Sequence, residues 1–223
     1  NRVLRFFMKK LLKFFITYLL FINVVSAEEV KVFEFTEDEF KVLDVRKVRG
    51  ADSNTVYTLG SNENGNFIKA VANNSASGLG KEIKINLNST PYLNITWKVE
   101  KDLKGINERS KKGHDYAARV FVVKKTGATV LSNRAMNYVF SSNEEVNASH
   151  PSPYTKKSID YVLATTKDNF NEWVTVKVNV KKHFKEFHDL SLDEINGVAI
   201  MADTDNSKLT SISYYQNIYF SAE

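Results

Sequence analysis

One short segment carries an acidic and a basic side chain at a spacing that could bind a polar ligand. In the stretch DYAARVFVV, Asp115, Ala117 and Arg119 share one face if the segment is a strand. The guanidinium offers a planar fork of donors and the carboxylate has two accepting oxygens, which suits the neighbouring hydroxyls of a sugar. The two side chains could instead pair with each other or with cross-strand partners. Both interpretations stay open.

A second oxygen-rich segment is DTDN at 203–206, which follows an apolar predicted strand. Calcium ligands often occupy such turns. An EF-hand does not fit, because the sixth and twelfth positions hold Lys208 and Tyr214 in place of Gly and Glu. We expect this segment to form an Asx-type turn in preference to a metal site, and calcium is the one cofactor that we leave open.

Aromatic side chains could add apolar platforms for a sugar ring, although most should be core. In the predicted last strand, alternation places Tyr215 and Tyr219 on one face and Tyr214 on the other. We predict Tyr138 and Tyr215 as the ligand-facing rings.

The sequence lacks the common catalytic signatures: it has no cysteine, no G-x-S-x-G, no H-E-x-x-H and no phosphate-binding glycine loop. His183 and His188 are five apart, a poor spacing for shared metal ligation on a helix, so we expect exposed histidines. A glycosidase would need Asp115 to lie roughly 5–10 Å from Asp203 or Asp205. No catalytic residue is assigned.

Short alternating segments separated by polar turn residues must position these groups. Residues 172–180 show it most clearly, with valine at every second position. Helical turns are predicted at 36–41 and 181–190. Many short strands favour an all-β fold, a two-sheet antiparallel sandwich of jelly-roll or galactose-binding-like type. The predicted strands are 30–35, 41–47, 55–59, 66–72, 81–87, 92–100, 115–124, 134–141, 159–165, 172–180, 196–202 and 210–220.

The amino-terminal 27 residues resemble a secretion signal. A basic flank precedes the apolar stretch at 14–25, which is short for a membrane span, and Ala27 precedes two glutamates. Residues 1–7 lie upstream of Met8, the expected start. The segment 1–27 holds five of the 31 basic residues and no acid, so residues 28–223 carry 26 of each sign. This neutral balance argues against nucleic acid as a partner.

Several blocks, in this order, resemble the bacterial family of domain of unknown function 3047. The resemblance spans most of residues 28–223 and implies an exported β-sandwich similar to carbohydrate-binding modules. The blocks are Pro91-Tyr92-Leu93 with Trp97-Lys98-Val99, Gly113 to Val120, Asn137 to Phe140, and Gly197 to Asn206 before Tyr214-Tyr215.

These observations predict one exported domain, 28–223, that is periplasmic or secreted and has no stable membrane insertion once the signal is removed. We expect it to bind a glycan or another small polar ligand without catalysis. The alternatives are a carbohydrate-active hydrolase or lyase, and a structural or protein-interaction role. The candidate ligand-binding residues are Asp115, Arg119, Asn137, Tyr138, Asp203, Asp205, Asn206 and Tyr215.

The signal assignment makes one direct prediction. When the full chain is expressed in a bacterium and the exported protein is purified, mass spectrometry of its amino terminus should find Glu28 first, because cleavage follows Ala27. A protein that retains residues 14–25 would contradict a removable signal.

Overall fold

Alternating valines form the strand that the sequence predicts most clearly. The computed structural model describes residues 28–223, and within it Val174–Asn179 is a strand in which Val178 is buried while Thr175 and Lys177 are exposed. This alternation confirms a half-buried strand. The predicted signal segment, 1–27, lies outside the described residues.

Strands make up most of the described chain, numbered here in order. They are β1 (Glu29–Phe33), β2 (Asp44–Lys47), β3 (Val56–Asn62), β4 (Gly65–Asn73), β5 (Ala76–Asn86), β6 (Tyr92–Lys101), β7 (Ala118–Lys124), β8 (Arg134–Ser141), β9 (Ser149–Ser152), β10 (Thr155–Thr165), β11 (Val174–Asn179), β12 (Glu194–Asp203) and β13 (Thr210–Ser221).

The strands form two sheets of the jelly-roll sandwich class that the sequence predicts. The six-stranded sheet has the order β11-β6-β13-β4-β3, with β1 also paired to β13. The seven-stranded sheet has the order β2-β5-β12-β7-β8-β10-β9. Pairing is antiparallel except between β8 and β10, which run parallel. Strands that follow one another in the chain are therefore often separated in the sheets, and strands from distant parts of the chain become neighbours.

The core lies between the two sheets and draws on both. Trp97 of β6 packs against Phe140 of β8 with ring centroids 5.5 Å apart, and both side chains are fully buried. On β7 and β12 the inward residues include Val120 and Ile200, which alternate with outward residues such as Phe121 and Met201. The outer face of the seven-stranded sheet thus displays a separate set of side chains.

Three short helices close the ends: α1 (Glu37–Val42), α2 (Thr166–Asn169) and α3 (Val180–His188). Thr36 caps α1 and Asn179 caps α3, each accepting a hydrogen bond from a backbone N–H three residues on. Among the residues described, no helix is long and apolar enough to cross a membrane.

Two expectations from the sequence, one for α3 and one for β13, are wrong. His183 is buried, because the one-sided α3 turns it toward the rings of Tyr138 and Tyr161. In β13 the simple alternation fails, since Asn217 has φ +48° and the pairing with β6 shifts between Gln216 and Tyr219. This bulge moves the following residues to opposite faces.

Replacing His183 with phenylalanine should flatten the dependence of stability on pH. Burial lowers the pKa of the His183 imidazole, Glu186 opposes this and Lys182 adds to it. Below pH about 6.5 the unfolded chain takes up a proton that the folded chain resists, so stability falls on acidification by at most about 1.4 kcal/mol per pH unit from this residue.

Urea unfolding of both proteins between pH 7 and 5 measures the effect. The stability of H183F relative to the parent should rise as the pH falls. If the stabilities of H183F and the parent change in parallel with pH, then His183 has the same pKa in the folded and unfolded states.

Candidate functional site

A buried ion pair joins two adjacent strands on the outer face of the seven-stranded sheet. Arg119 of β7 lies opposite Met201 of β12, so its side chain reaches Asp203 at the end of that strand. Nε donates to Oδ1 at 2.9 Å, a second contact joins Nη2 to Oδ2, and both side chains are nearly fully buried. Sequence analysis proposed cross-strand pairing as one alternative for Arg119, and the structure shows it.

The pair also fixes the loop that precedes β7. Arg119 Nη2 donates to the His114 carbonyl at 3.0 Å, and the Tyr116 N–H donates to Asp203 Oδ1 at 3.1 Å. Burial raises the pKa of Asp203 to about 7, Arg119 opposes that rise and Asp115 adds to it. The ionised Asp203 carboxylate is therefore costly to bury, and it depends on its bonds to Arg119 and Tyr116.

Asp115 is placed differently from the prediction. The strand begins at Ala118, and Asp115 belongs to the loop before it, so the argument that Asp115 and Arg119 share a strand face is wrong. Its carboxylate accepts from Asn206 Nδ2 at 2.8 Å and from the Ser207 N–H at 2.5 Å. Asp115 thus holds the predicted turn after Asp203, with its side chain fully buried.

Three carboxylates converge here: one oxygen each of Asp115, Asp203 and Asp205 lie within 4.8 Å of one another. Burial raises the pKa of Asp205, and the Asp115 charge adds to the rise. Asp203 is already bound by Arg119, and Asp115 by the turn. A calcium ion would have to compete with these partners, which agrees with the expectation of an Asx-type turn in preference to a metal site.

A second buried cluster, of which the sequence analysis named only Asn137 as a ligand-binding candidate, lies beside the first. Asp160 of β10 accepts hydrogen bonds from Asn137 of β8 and pairs with His114 Nε2 at 2.6 Å. His150 of β9 lies 3.7 Å from the same carboxylate and 3.3 Å from the Tyr116 hydroxyl. Burial lowers the pKa of His114 although Asp160 opposes it. Strand register places Asp160 beside Asn137 and His150, and the loop before β7 brings in His114 and Tyr116, so no short sequence motif contains the cluster.

The two rings chosen as platforms lie in the core. Tyr138 and Tyr215 are both fully buried. The Tyr215 hydroxyl donates to the Met201 carbonyl at 2.5 Å and accepts from the Arg119 N–H at 3.0 Å. Of the eight candidate residues, the structure gathers five at the end of β12, namely Asp115, Arg119, Asp203, Asp205 and Asn206. Tyr215 contacts Arg119 from the core side, whereas Asn137 binds Asp160 and Tyr138 packs against Tyr161 and His183.

A groove of about 300 Å³ crosses the outer face of the same sheet, next to the ion pair. Its floor is low because Gly78, Gly80, Gly197 and Ala199 lie there with little or no side chain. The half-buried Phe121 stands beside this floor, in register with Ala199. The result is an apolar strip of sheet that a flat ligand can approach closely.

Polar side chains rim the groove. Arg46 from β2 lies over Gly80, where an added Cβ would come within 2.8 Å of the Arg46 Nε. Lys125, past the end of β7, reaches Glu82 at 3.0 Å. An apolar floor with a few charged groups at its edge is typical of small-molecule sites.

The fold and this surface define a jelly-roll sandwich with a ligand-sized groove on one face. The chain belongs to the family of proteins of unknown function DUF3047, whose model matches residues 42–219. This confirms the family resemblance found in the sequence. A search of curated protein sequences finds no match.

Solved structures with a similar fold are distant in sequence. The family 30 carbohydrate-binding module of a cellulosomal cellulase of Clostridium thermocellum aligns with a TM-score of 0.52 at 7% identity, covering 88% of this chain and 98% of the module. A xyloglucanase domain of Sinorhizobium fredii aligns with a TM-score of 0.43 at 12% identity, covering 80% of this chain and 92% of that chain. The feature shared with the carbohydrate-binding module is the fold.

Breaking the buried ion pair from one side should destabilise the domain strongly. Asp203→Leu leaves the Arg119 charge buried without its partner, which costs about 3–5 kcal/mol of the free energy of unfolding. The double variant with Arg119→Met should recover much of that loss, because no unpaired charge remains.

Urea unfolding of the two single variants and the double variant measures the coupling. The matched control is Glu145→Leu in the Lys167–Glu145 pair, where both side chains are about two-thirds exposed and the expected cost is about 1 kcal/mol or less. An Asp203→Leu cost no larger than the control would contradict a structural role for the pair.

Proposed function

We propose that this protein binds carbohydrate, without cleaving it, in the groove on the outer face of the seven-stranded sheet. The observation that carries the proposal is the Phe121 ring beside a floor of glycine and alanine, bordered by Arg46 and Lys125. The fold shared with a carbohydrate-binding module supports it as a precedent for the architecture.

The groove suits the two kinds of surface that a sugar ring presents. The C–H groups of a pyranose can pack on an aromatic face, and its hydroxyls need donors and acceptors at the edge. Phe121 and Met201 provide apolar contacts, while Arg46, Glu82 and Asn196 provide polar ones. The small residues Gly197 and Ala199, beside Phe121, let such a ring reach the sheet.

The carboxylates favour binding over hydrolysis. A two-carboxyl glycosidase needs an acid and a second carboxylate on either side of the scissile bond. The described residues that line the groove include one carboxylate, Glu82. Asp115 and Asp203 are buried in the network at the end of β12 and are bound by the turn and by Arg119.

The outer face of the six-stranded sheet offers a rival aromatic cluster. Phe67, Trp173 and Tyr214 contact one another with centroids 5.6–6.0 Å apart. The Lys98 ammonium lies 4.4 Å from the Tyr214 ring centre. Tyr214 is buried, and Phe67 and Trp173 are partly buried as Phe121 is, so this cluster is the second aromatic surface that the binding assay must test.

Location in the cell envelope, periplasmic or secreted, is also part of the proposal. Its support is the signal-like sequence of residues 1–27.

Phe121→Ala should weaken polysaccharide binding about tenfold or more, since it removes the aromatic contact. The assay is affinity electrophoresis of residues 28–223 through gels that contain individual neutral and acidic polysaccharides. Phe67→Ala, on the opposite face, should bind as the parent does, and circular dichroism checks that both variants fold.

Two results would overturn the proposal. Failure of the parent to bind any polysaccharide would remove the function, and loss of binding in Phe67→Ala but not in Phe121→Ala would place the site on the other sheet.

A further inference from the structure

The charged residues around the groove are unevenly distributed in sign. Its lining contains Arg46, Lys47, Lys81 and Lys125 but one acid, Glu82. Residues 28–223 as a whole hold equal numbers of basic and acidic residues. Three of these cations have an acidic partner, so the positive excess is small, and a negatively charged ligand is attracted where its carboxylate can take the place of a partner acid.

Not every one of these cations is free to meet a ligand. Lys81 is held by Glu39 at 2.8 Å and by the Val32 carbonyl at 3.1 Å, and Glu39 is mostly buried. This arrangement ties α1 to the sheet, so we assign Lys81 to structure. Its charge remains near the groove but is already neutralised.

The other cations can change partners. Arg46 pairs with Asp44 at 3.0 Å and Lys125 pairs with Glu82 at 3.0 Å, and all four side chains are at least half exposed. Exposed pairs of this kind contribute about 0–1 kcal/mol, so a ligand carboxylate can replace either acid at little cost. Lys47 is exposed beside them.

The Arg46 side chain extends from β2 over the floor of the groove. It crosses over Gly80 because glycine leaves that position open, and the sheet register continues from Gly80 through Ala199 to Phe121. One row therefore runs from the Arg46 side chain above Gly80, across Ala199, to the Phe121 ring. The row spans the three steps from β2 to β7, roughly 14 Å at the usual strand spacing. A ligand that fills it must carry an anionic group and an apolar ring face within one extended chain.

We infer that the groove binds an acidic polysaccharide whose sugar rings bear carboxylates, with Arg46 and Lys125 binding the carboxylates and Phe121 packing on a ring. The inference rests on the proposed function and names its ligand class. Arg forms two parallel hydrogen bonds with a carboxylate, which lysine cannot match.

The test uses one polysaccharide backbone in two charge states. Affinity electrophoresis compares polygalacturonate with its fully methyl-esterified form, and alginate serves as a second acidic chain. The parent protein should bind polygalacturonate or alginate at least about tenfold more tightly than the ester, and added salt should weaken binding. Polyglutamate, which has carboxylates without sugar rings, should bind weakly.

Variants locate the charge. Arg46→Gln and Lys125→Gln should each reduce binding to the acidic chain severalfold, and the double variant more. Lys98→Gln, which removes the same charge on the six-stranded sheet, should leave binding unchanged. All three replaced side chains stay hydrophilic, and thermal unfolding confirms that each of the four variants folds.

The outcomes separate this inference from the proposed function. Equal binding of polygalacturonate and its ester, or binding of a neutral glucan alone, overturns the acidic ligand but leaves carbohydrate binding in place if Phe121→Ala still abolishes it. Equal binding of polyglutamate overturns recognition of the sugar. Failure to bind any polysaccharide overturns both.

Discussion

The pairing of Arg119 with Asp203 constrains the structure around it more than any other polar contact described. Two charges are removed from water at adjacent strands, and either one without the other would be a costly unpaired buried charge. Each must therefore take further partners, and these are main-chain groups of the loop before β7, at His114 and Tyr116. The loop is held down on the sheet because the charges need its backbone.

The same constraint reaches the groove. The Arg119 guanidinium lies 5.7 Å from the centre of the Phe121 ring, two residues along β7, and Met201 lies opposite Arg119 on β12. The Tyr215 hydroxyl ties the backbone of both strands together from the core side. Phe121 and Met201 thus stand on strands whose relative position is fixed at one end by buried polar bonds. A rigid scaffold of this kind lowers the entropy lost when a ligand binds.

Much of the fold follows from local sequence, and its gaps have identifiable causes. The alternation at 174–180 predicts a half-buried strand correctly, because the period of two is uninterrupted. The sequence pattern predicts the start of strand β5 at residue 81, because the glycines at 78 and 80 are typical of turns. In the structure β5 begins earlier, at Ala76. The four-residue β9 shows no alternation that a sequence pattern could detect.

The candidate site is harder to predict, because sequence spacing indicates which residues share a strand but not what covers them. Asp115, Arg119 and Asp203 have the polarity of a binding patch, yet the loop and turn that they hold bury them. The groove residues carry no local signal at all. Arg46, Phe121 and Lys125 are ordinary surface types in the sequence, and only the sheet order places β2 and β7 on either side of β5 and β12.

The strand register decides whether the groove exists, because a slip of one residue would move every side chain of a strand to the opposite face of the sheet. The pairing of β12 with β5 shifts between Ile195 and Gly197. That shift keeps Ile195 in the core and leaves Asn196 at the groove edge, where its side chain accepts from the Lys125 N–H at 3.0 Å. Gly197 then returns to the floor opposite Val123. The irregular step in β12 therefore closes one end of the groove and fixes the strand end from which Lys125 extends. The buried network at 203 anchors the other end of β12, so the groove lies on a stretch of strand whose register is set on both sides.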